Sequence, residues 1–402
     1  MVSPVERSAA PSTRGPQGRP ELEMTAQGTP KALNKVPWSS PDIEAAELAA
    51  VQRVLDSGWL GMGPKTREFE AGISAYTGAR HSIVVNNGTS ALLTAFLAHG
   101  IGPGDEVLVP TYTFVATVNA LLVLGATPIL LDCNPSTLNV DPELVERVAA
   151  QHPKAKALVF VDVAGQPCDI VRLREIAERR DLVLIEDAAE AFGATYRGHV
   201  LGSYDHTTIF SFHIAKQLTT IEGGAVVTGD QDVAERARLI RSHGEGPQKY
   251  VHVAVGLNFR PTDIQSAIGV IQLGKVDKFL SLRDRLAHRY MEGLANELRF
   301  QEVPDYVTRP TWMIFVAFCR GYKERDAYNA WLNEHGVDTR IPWPPVHAQP
   351  FYASRAGSDR FPGADSAFST VLSLPIGNGL SDAQIDAVIE RSREYFEGAR
   401  KA

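Results

Sequence analysis

Short apolar runs alternate with amphipathic stretches from about residue 44 to about residue 241. Stretches with helical apolar spacing include IEAAELAAVQRVL, ALLTAFLAHG and IVRLREIAERR. The apolar runs have the length and the Val, Ile and Leu content of buried strands; they are HSIVV, DEVLVP, TPILLD, KALVFVDV, LVLIED, TTIFSF and GGAVVT. This alternation predicts an α/β fold in which helices cover both faces of a mostly parallel sheet.

The pattern changes after Arg241. A loop-rich stretch (243–265) leads into one long helical pattern, TDIQSAIGVIQLGKVDKFLSLRDRLAHRYMEGLANEL, and then into short strands such as MIFVAFC and the helical RDAYNAWLNEHG. We predict a disordered leader (1–35), a large α/β domain (36–270), a linking helix (271–289) and a smaller α+β C-terminal domain (290–402).

Composition narrows the classes of function. The formal net charge of −7 gives no reason to expect nucleic acid as a partner, since phosphate binding favours a basic surface. The longest apolar stretch, ALLVLGATPILL, is too short and too broken to span a membrane. The cysteines, Cys133, Cys168 and Cys319, form no CxxC pair, so we expect no disulfide scaffold, no metal site and a reducing, cytoplasmic location.

Three features of the sequence, a polar turn, an aspartate and a lysine, together indicate a possible catalytic site. The turn Asn86-Asn87-Gly88-Thr89 follows HSIVV and opens a helix, where backbone amides bind phosphate readily. Asp187 ends LVLIED, and Lys216 lies just past TTIFSF. Alone, each has an ordinary explanation: a capped turn, a carboxylate that caps a turn, a solvated lysine. Together they are what pyridoxal 5′-phosphate chemistry requires, with a lysine for the Schiff base and an aspartate for the pyridine nitrogen.

Phe114, in PTYTFVATVNA, is an aromatic side chain at another strand end. It packs in a core or stacks on a flat cofactor ring, and the sequence leaves both open.

The chain resembles the DegT/DnrJ/EryC1/StrS family, sugar aminotransferases of the aspartate-aminotransferase fold (fold type I of enzymes that use pyridoxal phosphate). The resemblance runs from about Trp38 to the C-terminus. It is carried by SGWLGMGPKTREFE, VNNGTSAL, PTYTFVAT, ILLDCNPSTLNVD, AGQPCD, IEDAAEAFGATYRG, FSFHIAKQLTTIEGGAVVT, LNFRPTDIQSAIGVIQL and LSLPIGNGLSD.

The resemblance implies a role for each matched residue. Lys216 forms the Schiff base, Asp187 pairs with the pyridine nitrogen and Phe114 stacks on the ring. The phosphate is held by Gly88 and Thr89 through their backbones and by Ser211 through its hydroxyl. Glu190 stands near the ring hydroxyl, where relatives usually have Gln or His. Asn258, in GLNFR, reaches the phosphate of a neighbouring subunit, which implies a homodimer with shared active sites.

The implied activity is transfer of an amino group from Glu or Gln to a ketosugar, with pyridoxamine 5′-phosphate as the intermediate form of the cofactor. A nucleotide-linked ketosugar is favoured, in amino-sugar, antibiotic or other secondary-metabolite biosynthesis. One alternative is a cyclitol or free-sugar ketone. Others are a sugar dehydratase, whose relatives replace the lysine with His, and a non-catalytic sensor, which would not need Lys216 or Asp187.

The segment RIPWPPVHAQPFY is the candidate for the acceptor pocket. Trp343 and Tyr352 are expected to pack against a sugar ring and His347 to hydrogen-bond a hydroxyl, with packing of the small domain as the alternative. Asp162 and Met313 stand where relatives often have His.

Overall fold

The structure is a computed structural model that describes residues 35–353 and 360–401. The leader predicted to be disordered (1–35) lies outside the described residues except for Lys35.

The elements follow one another along the whole described chain. The strands are β1 (His81–Val85), β2 (Glu106–Pro110), β3 (Thr127–Leu131), β4 (Ala155–Val161), β5 (Val183–Asp187), β6 (Thr195–Tyr196), β7 (His199–Val200), β8 (Thr207–Ser211), β9 (Gly224–Thr228), β10 (Arg299–Phe300), β11 (Val307–Arg309), β12 (Phe315–Phe318) and β13 (Val371–Leu374). The α-helices are α1 (Ala45–Ser57), α2 (Pro64–Thr77), α3 (Gly88–Ala98), α4 (Ala116–Val123), α5 (Pro142–Gln151), α6 (Ile170–Arg180), α7 (Gln231–Arg241), α8 (Asp263–Leu273), α9 (Val276–Gly293), α10 (Tyr322–Glu334), α11 (Pro350–Ala353), α12 (Pro362–Thr370) and α13 (Asp382–Lys401).

The large sheet has seven strands in the order β1-β9-β8-β5-β4-β2-β3. Strand β9 is antiparallel to both of its neighbours, and the remaining pairs are parallel. The predicted mostly parallel sheet is therefore confirmed. Because the parallel strands share one direction, the loops that follow β1, β2, β4, β5 and β8 all leave the same edge of the sheet.

Alternate residues of each strand enter two separate cores. In β5, Leu184 packs into the core with Phe160 and Phe210, whereas Ile185 packs into the core with Val109 and Phe96. Successive strand side chains point to opposite faces, so this division shows that both faces of the sheet are covered. Asp187 falls on the same face as Ile185 because it lies two residues further along the strand.

The long helical pattern of the sequence forms two helices, α8 and α9, instead of one. The break lies at Gly274 and Lys275, which form a turn between them. Glycine is a poor former of helix interiors, and the turn lets α8 pack on α1 and α2 while α9 continues toward the C-terminal sheet. The predicted linking helix (271–289) overlaps the end of α8 and most of α9.

The C-terminal residues form a smaller three-stranded sheet, β10-β12-β13. Its core includes Tyr290 from α9, Phe315 from β12 and Tyr328 from α10. A third sheet, β11-β6-β7, joins this part of the sequence to the large sheet's loops. The division into domains at residues 270 and 290 stays a prediction. None of the helices in residues 35–353 and 360–401 has the length and apolar character needed to cross a membrane.

Candidate functional site

The predicted site residues converge at the carboxyl edge of the large sheet. Gly88 follows β1, Phe114 follows β2, Asp187 ends β5, Ser211 ends β8 and Lys216 lies in the loop after β8. In open parallel sheets, ligands bind outside this edge.

Asp187 is almost fully buried at the end of β5. The hydroxyl of Thr117, in the first turn of α4, donates to Oδ2 at 2.7 Å, and the amide of Ala189 donates to Oδ1 at 3.1 Å. Burial raises the pKa of Asp187 to about 6, while the bonds from Thr117 and Ala189 act in the opposite direction. The carboxylate is therefore oriented by two donors and has no ion-pair partner within 4.0 Å among the described residues.

Lys216 contacts Glu190. The Lys216 Nζ atom lies 3.4 Å from Glu190 Oε1, and both side chains are largely buried, at 13% and 9% exposed. The Lys216 amide donates to the carbonyl of His213 at 2.9 Å, which closes the turn that carries the lysine. The lysine is thus held in the interior and is not a freely solvated residue at a strand end.

Glu190 is fixed by a strained turn after β4. Its Oε2 atom accepts a hydrogen bond from the Ala164 amide at 2.8 Å. Ala164 and Gly165 both have positive φ, 62° and 85°. A Cβ atom on Gly165 would overlap the Thr311 hydroxyl, so only glycine fits there. The backbone amide and the Lys216 ammonium together accommodate a carboxylate where relatives usually have Gln or His.

The turn before α3 has the features of an anion site. Asn87 caps α3 through a hydrogen bond from the Ser90 amide at 2.8 Å, while the Gly88 and Thr89 amides have no hydrogen-bond partner in the described part of the chain. A Cβ atom on Gly88 would lie 3.0 Å from the Ser211 hydroxyl oxygen. Two free amides, the helix dipole and the Ser211 hydroxyl therefore meet within a small space.

Phe114 and Trp343 form an aromatic pair. Phe114 is 57% exposed, and its ring meets that of Trp343 edge-on, with 5.8 Å between the ring centroids. The Trp343 Nε1–H is buried without a hydrogen-bond partner in the described structure. An exposed ring face on Phe114 and an unsatisfied donor on Trp343 leave both side chains able to contact a ligand.

His347 and Tyr352 lie in positions that favour packing roles. Both ring nitrogens of His347 have protein partners, the Thr111 hydroxyl at 2.8 Å and Asp365 Oδ1 at 3.0 Å. Tyr352 is only 4% exposed, and its hydroxyl donates to Asn119 Oδ1. These contacts support the packing alternative, and the sugar contacts expected of His347 and Tyr352 stay a prediction.

Asn258 is exposed, and its backbone forms a β-bridge with Ser242. The next residue, Phe259, accepts a hydrogen bond from the Asn86 amide at 2.9 Å, so this segment borders the turn before α3. The Asn258 side chain has no hydrogen-bond partner among the residues described.

Asp162 and Met313, which depart from the family pattern that the resemblance implies, have different surroundings. Asp162 is fully buried and accepts a hydrogen bond from the Cys168 amide at 2.9 Å; burial, followed by the neighbouring Glu186, raises its pKa. Met313 is buried, and its amide donates to the Ala164 carbonyl at 3.1 Å. Met313 therefore contacts the turn that holds Glu190, whereas the Asp162 carboxyl belongs to the interior.

Sequence reasoning missed several residues that orient the site: Thr117, Ala164, Gln217 and Thr311. The side-chain amide of Gln217 donates to the Glu190 carbonyl and to the Thr311 hydroxyl. No spacing or composition signal in the sequence around Gln217 singles it out.

Known proteins match nearly the whole described chain. The model of the DegT/DnrJ/EryC1/StrS aminotransferase family matches residues 41–393. The GDP-perosamine synthase of Caulobacter vibrioides is 38% identical over 369 residues, which cover 89% of this chain and 97% of the relative.

A sequence match and a structure match from Streptomyces venezuelae are similar to the same extent. Its dTDP-3-amino-3,4,6-trideoxy-alpha-D-glucose transaminase is 40% identical over 367 residues, 90% of this chain and 95% of the relative. The crystal structure of DesV in complex with a ketimine intermediate has a TM-score of 0.84 and 39% identity, covering 90% of this chain and 98% of that one.

Proposed function

The chain belongs to the DegT/DnrJ/EryC1/StrS aminotransferase family, and on that premise we propose which residues carry its reaction and which ketone it aminates. It is a sugar aminotransferase that depends on pyridoxal phosphate, with an amino donor and a sugar acceptor as substrates. The observation that carries the proposal is the meeting of Lys216, Asp187 and the Gly88 turn at one edge of the sheet.

The side chains present fit pyridoxal phosphate. The free Gly88 and Thr89 amides and the Ser211 hydroxyl are the donors that a phosphate needs. The Asp187 carboxylate, which has no ion-pair partner among the described residues, matches a protonated ring nitrogen, and the exposed face of Phe114 matches a flat ring. When bound, the cofactor supplies an electron sink for the substrate carbon that loses its proton.

Asp187, Lys216 and Glu190 each have a separate proposed role in the reaction. Asp187, held by Thr117 and Ala189, keeps a positive charge on the ring nitrogen. Lys216 would hold the cofactor covalently, and its free amine would move a proton as general base and then as general acid. Glu190 lies against the same amine and holds it in place while it is charged.

We propose that the acceptor is a nucleotide-linked ketosugar and that the donor is Glu or Gln. Both the perosamine synthase and the transaminase above act, by their names, on nucleotide-linked sugars. One observation favours the alternative, a free-sugar or cyclitol ketone. Arg340, the cation next to the Trp343 segment, is paired with Asp338 and is therefore less available to a diphosphate.

Single-turnover decay of the pyridoxamine form of the enzyme tests the acceptor class. We expect nucleotide-linked ketosugars to discharge this form much faster than free ketones of matched ring chemistry, because the nucleotide adds binding energy remote from the reacting carbon. A Trp343→Ala variant is the control for the acceptor pocket, since it should slow the ketone half-reaction more than the donor half-reaction. Reaction with free ketones alone would overturn the substrate class and leave the aminotransferase assignment intact.

We also propose a homodimer with shared active sites. An apolar loop, residues 250–257, is exposed, with Tyr250 at 77% and Val255 at 92%. Exposed apolar segments of this kind mark interaction surfaces, and Asn258 follows the loop directly. In a second copy of the chain packed on this loop, Asn258 would reach the phosphate site of its partner. The three cysteines are buried and unpaired, which supports a cytoplasmic location for the dimer.

Mixing two inactive variants tests the shared site. Lys216→Ala and Asn258→Ala chains each lack one component, so a heterodimer contains one complete site and one site that lacks both. We expect part of the wild-type activity to return after subunit exchange, with Lys216→Ala mixed with itself as the control. Proven exchange without recovered activity would mean that one chain builds each site.

A further inference from the structure

Arg283, on α9, is a buried cation without an acidic partner. Its side chain is almost completely inaccessible, and no carboxylate in the described ranges lies within ion-pair distance of it. Burial lowers the pKa of Arg283 to about 10. A buried, unpaired charge opposes folding unless every donor is satisfied, so its neighbours indicate what it does.

The Arg283 guanidinium ties two C-terminal segments together. Its Nε donates to Asn378 Oδ1 at 2.7 Å, and its Nη1 donates to the Trp312 carbonyl at 2.9 Å. Asn378 in turn uses its Nδ2 to donate to the Gln217 carbonyl at 2.7 Å. Arg283 thus fixes the amide orientation of Asn378, since an arginine donates only and must face the oxygen.

Gln217 connects Asn378 to Lys216 and Glu190. It directly follows Lys216, and its side chain donates to the carbonyl of Glu190, the residue whose carboxylate contacts the Lys216 amine. The backbone positions of Lys216 and Glu190 are therefore coupled through one residue. Asn378 holds that residue from the C-terminal part of the chain.

We propose that Arg283 and Asn378 are positioning residues that hold the Lys216 amine against Glu190 for proton transfer. Neither touches the site itself. Asn378 acts through Gln217, and Arg283 acts through Asn378 and through the Met313 carbonyl, next to the turn that holds Glu190. The inference rests on the role proposed above for Lys216. Because a small misplacement of a reacting group costs much rate, the effect falls on the chemical step and not on binding.

The Asn378→Asp variant isolates the link to Gln217. Aspartate keeps an oxygen for Arg283 and adds a charge partner, which offsets the cost of removing the donor to the Gln217 carbonyl, so the melting temperature should change little. We expect the single-turnover rate with donor amino acid to fall about tenfold or more, while the apparent Kd for the donor changes less than about threefold. Arg283→Met should have the same kinetic effect, and Arg283→Lys should restore part of the rate.

A measurement on the cofactor-free protein complements the kinetics. Labelling of Lys216 by an amine reagent at pH 8, followed by peptide mapping, should be about threefold faster or more in Asn378→Asp, since the amine is no longer held against a carboxylate. Arg325→Met is the matched control. Arg325 is also buried and donates to a backbone carbonyl, that of Phe368, but it has no bond to the lysine loop.

The outcomes separate this inference from the proposed function. If borohydride reduction of the wild-type holoenzyme labels a residue other than Lys216, the role of Lys216 fails and this inference fails with it. If Lys216 is labelled and Asn378→Asp matches the wild type in both rate and amine labelling, only the positioning role is wrong. If Arg325→Met lowers the single-turnover rate as much as Asn378→Asp does, the effect comes from general destabilisation of the protein and the positioning role is wrong.

Discussion

Replacing Lys216 with alanine should lower turnover by about 10²-fold to 10⁴-fold, the contribution typical of a positioned general acid and base. In the proposed mechanism Lys216 both holds the cofactor covalently and moves the proton, so its loss removes two functions. Transamination assays measure the first effect. Borohydride reduction of the wild-type holoenzyme, followed by peptide mapping, should place the covalent label on Lys216.

Lys216→Arg is the control for charge. The guanidinium keeps a cation beside Glu190, but it stays protonated at neutral pH and cannot act as a base. We therefore expect near-normal stability with activity as low as in Lys216→Ala. Added small primary amines should restore part of the activity of the alanine variant only. Turnover within tenfold of wild type in either variant would show that another group moves the proton.

The position of the site can be predicted from the sequence because the ends of the apolar runs mark the ends of the strands. The apolar runs HSIVV and LVLIED end where β1 and β5 end, and TTIFSF ends one residue after β8. The parallel direction of these strands brings their carboxyl ends to one edge. Asn87 caps α3 and Asp141, followed by proline, caps α5, so the helix starts were predictable for the same local reason.

The contacts that orient the site are not local, and no spacing in the sequence reveals them. Thr117 and Asp187 are 70 residues apart and meet because α4 lies over the face that receives every second residue of β5. The bond from Ala164 to Glu190 depends on two consecutive residues with positive φ. Such contacts follow from the strand order β5-β4-β2, which the sequence pattern does not specify.

Short aromatic motifs are equally ambiguous between a pocket and a core. Trp343 and Tyr352 are nine residues apart in one proline-rich segment, yet only Trp343 lies beside Phe114. Tyr352 packs into the core on the α3 face of the large sheet. The helical break at Gly274 is a similar case, because the apolar spacing continues through it and packing of α8 and α9 on different partners decides it.

Asp187→Asn should lower turnover by about 10²-fold to 10³-fold, comparable to the loss of one preorganised charge-stabilising group. A neutral amide does not keep the ring nitrogen protonated, so the electron sink weakens although the site keeps its shape. Cofactor affinity, measured by equilibrium titration, should change far less than turnover. Thr117→Val is the matched variant; it removes the donor to Oδ2 but leaves the carboxylate, and its loss of turnover should be smaller.

The same substitution should change the pH dependence of stability in the cofactor-free protein. The pKa of Asp187 is raised on folding, from 3.8 to about 6, so the folded state favours the protonated acid. Below about pH 4, Asp187 therefore does not lower the stability of the wild type. Stability falls as the pH rises toward 6, because the unfolded chain has then released the proton that the folded state still holds. The loss approaches about 3 kcal/mol for a shift of this size.

Asparagine does not titrate, so the stability of Asp187→Asn relative to wild type should increase between pH 4 and pH 7 and then level off, as measured by urea unfolding at each pH. A difference that stays constant across this range would mean that folding does not change the pKa of Asp187, and that burial does not set its charge.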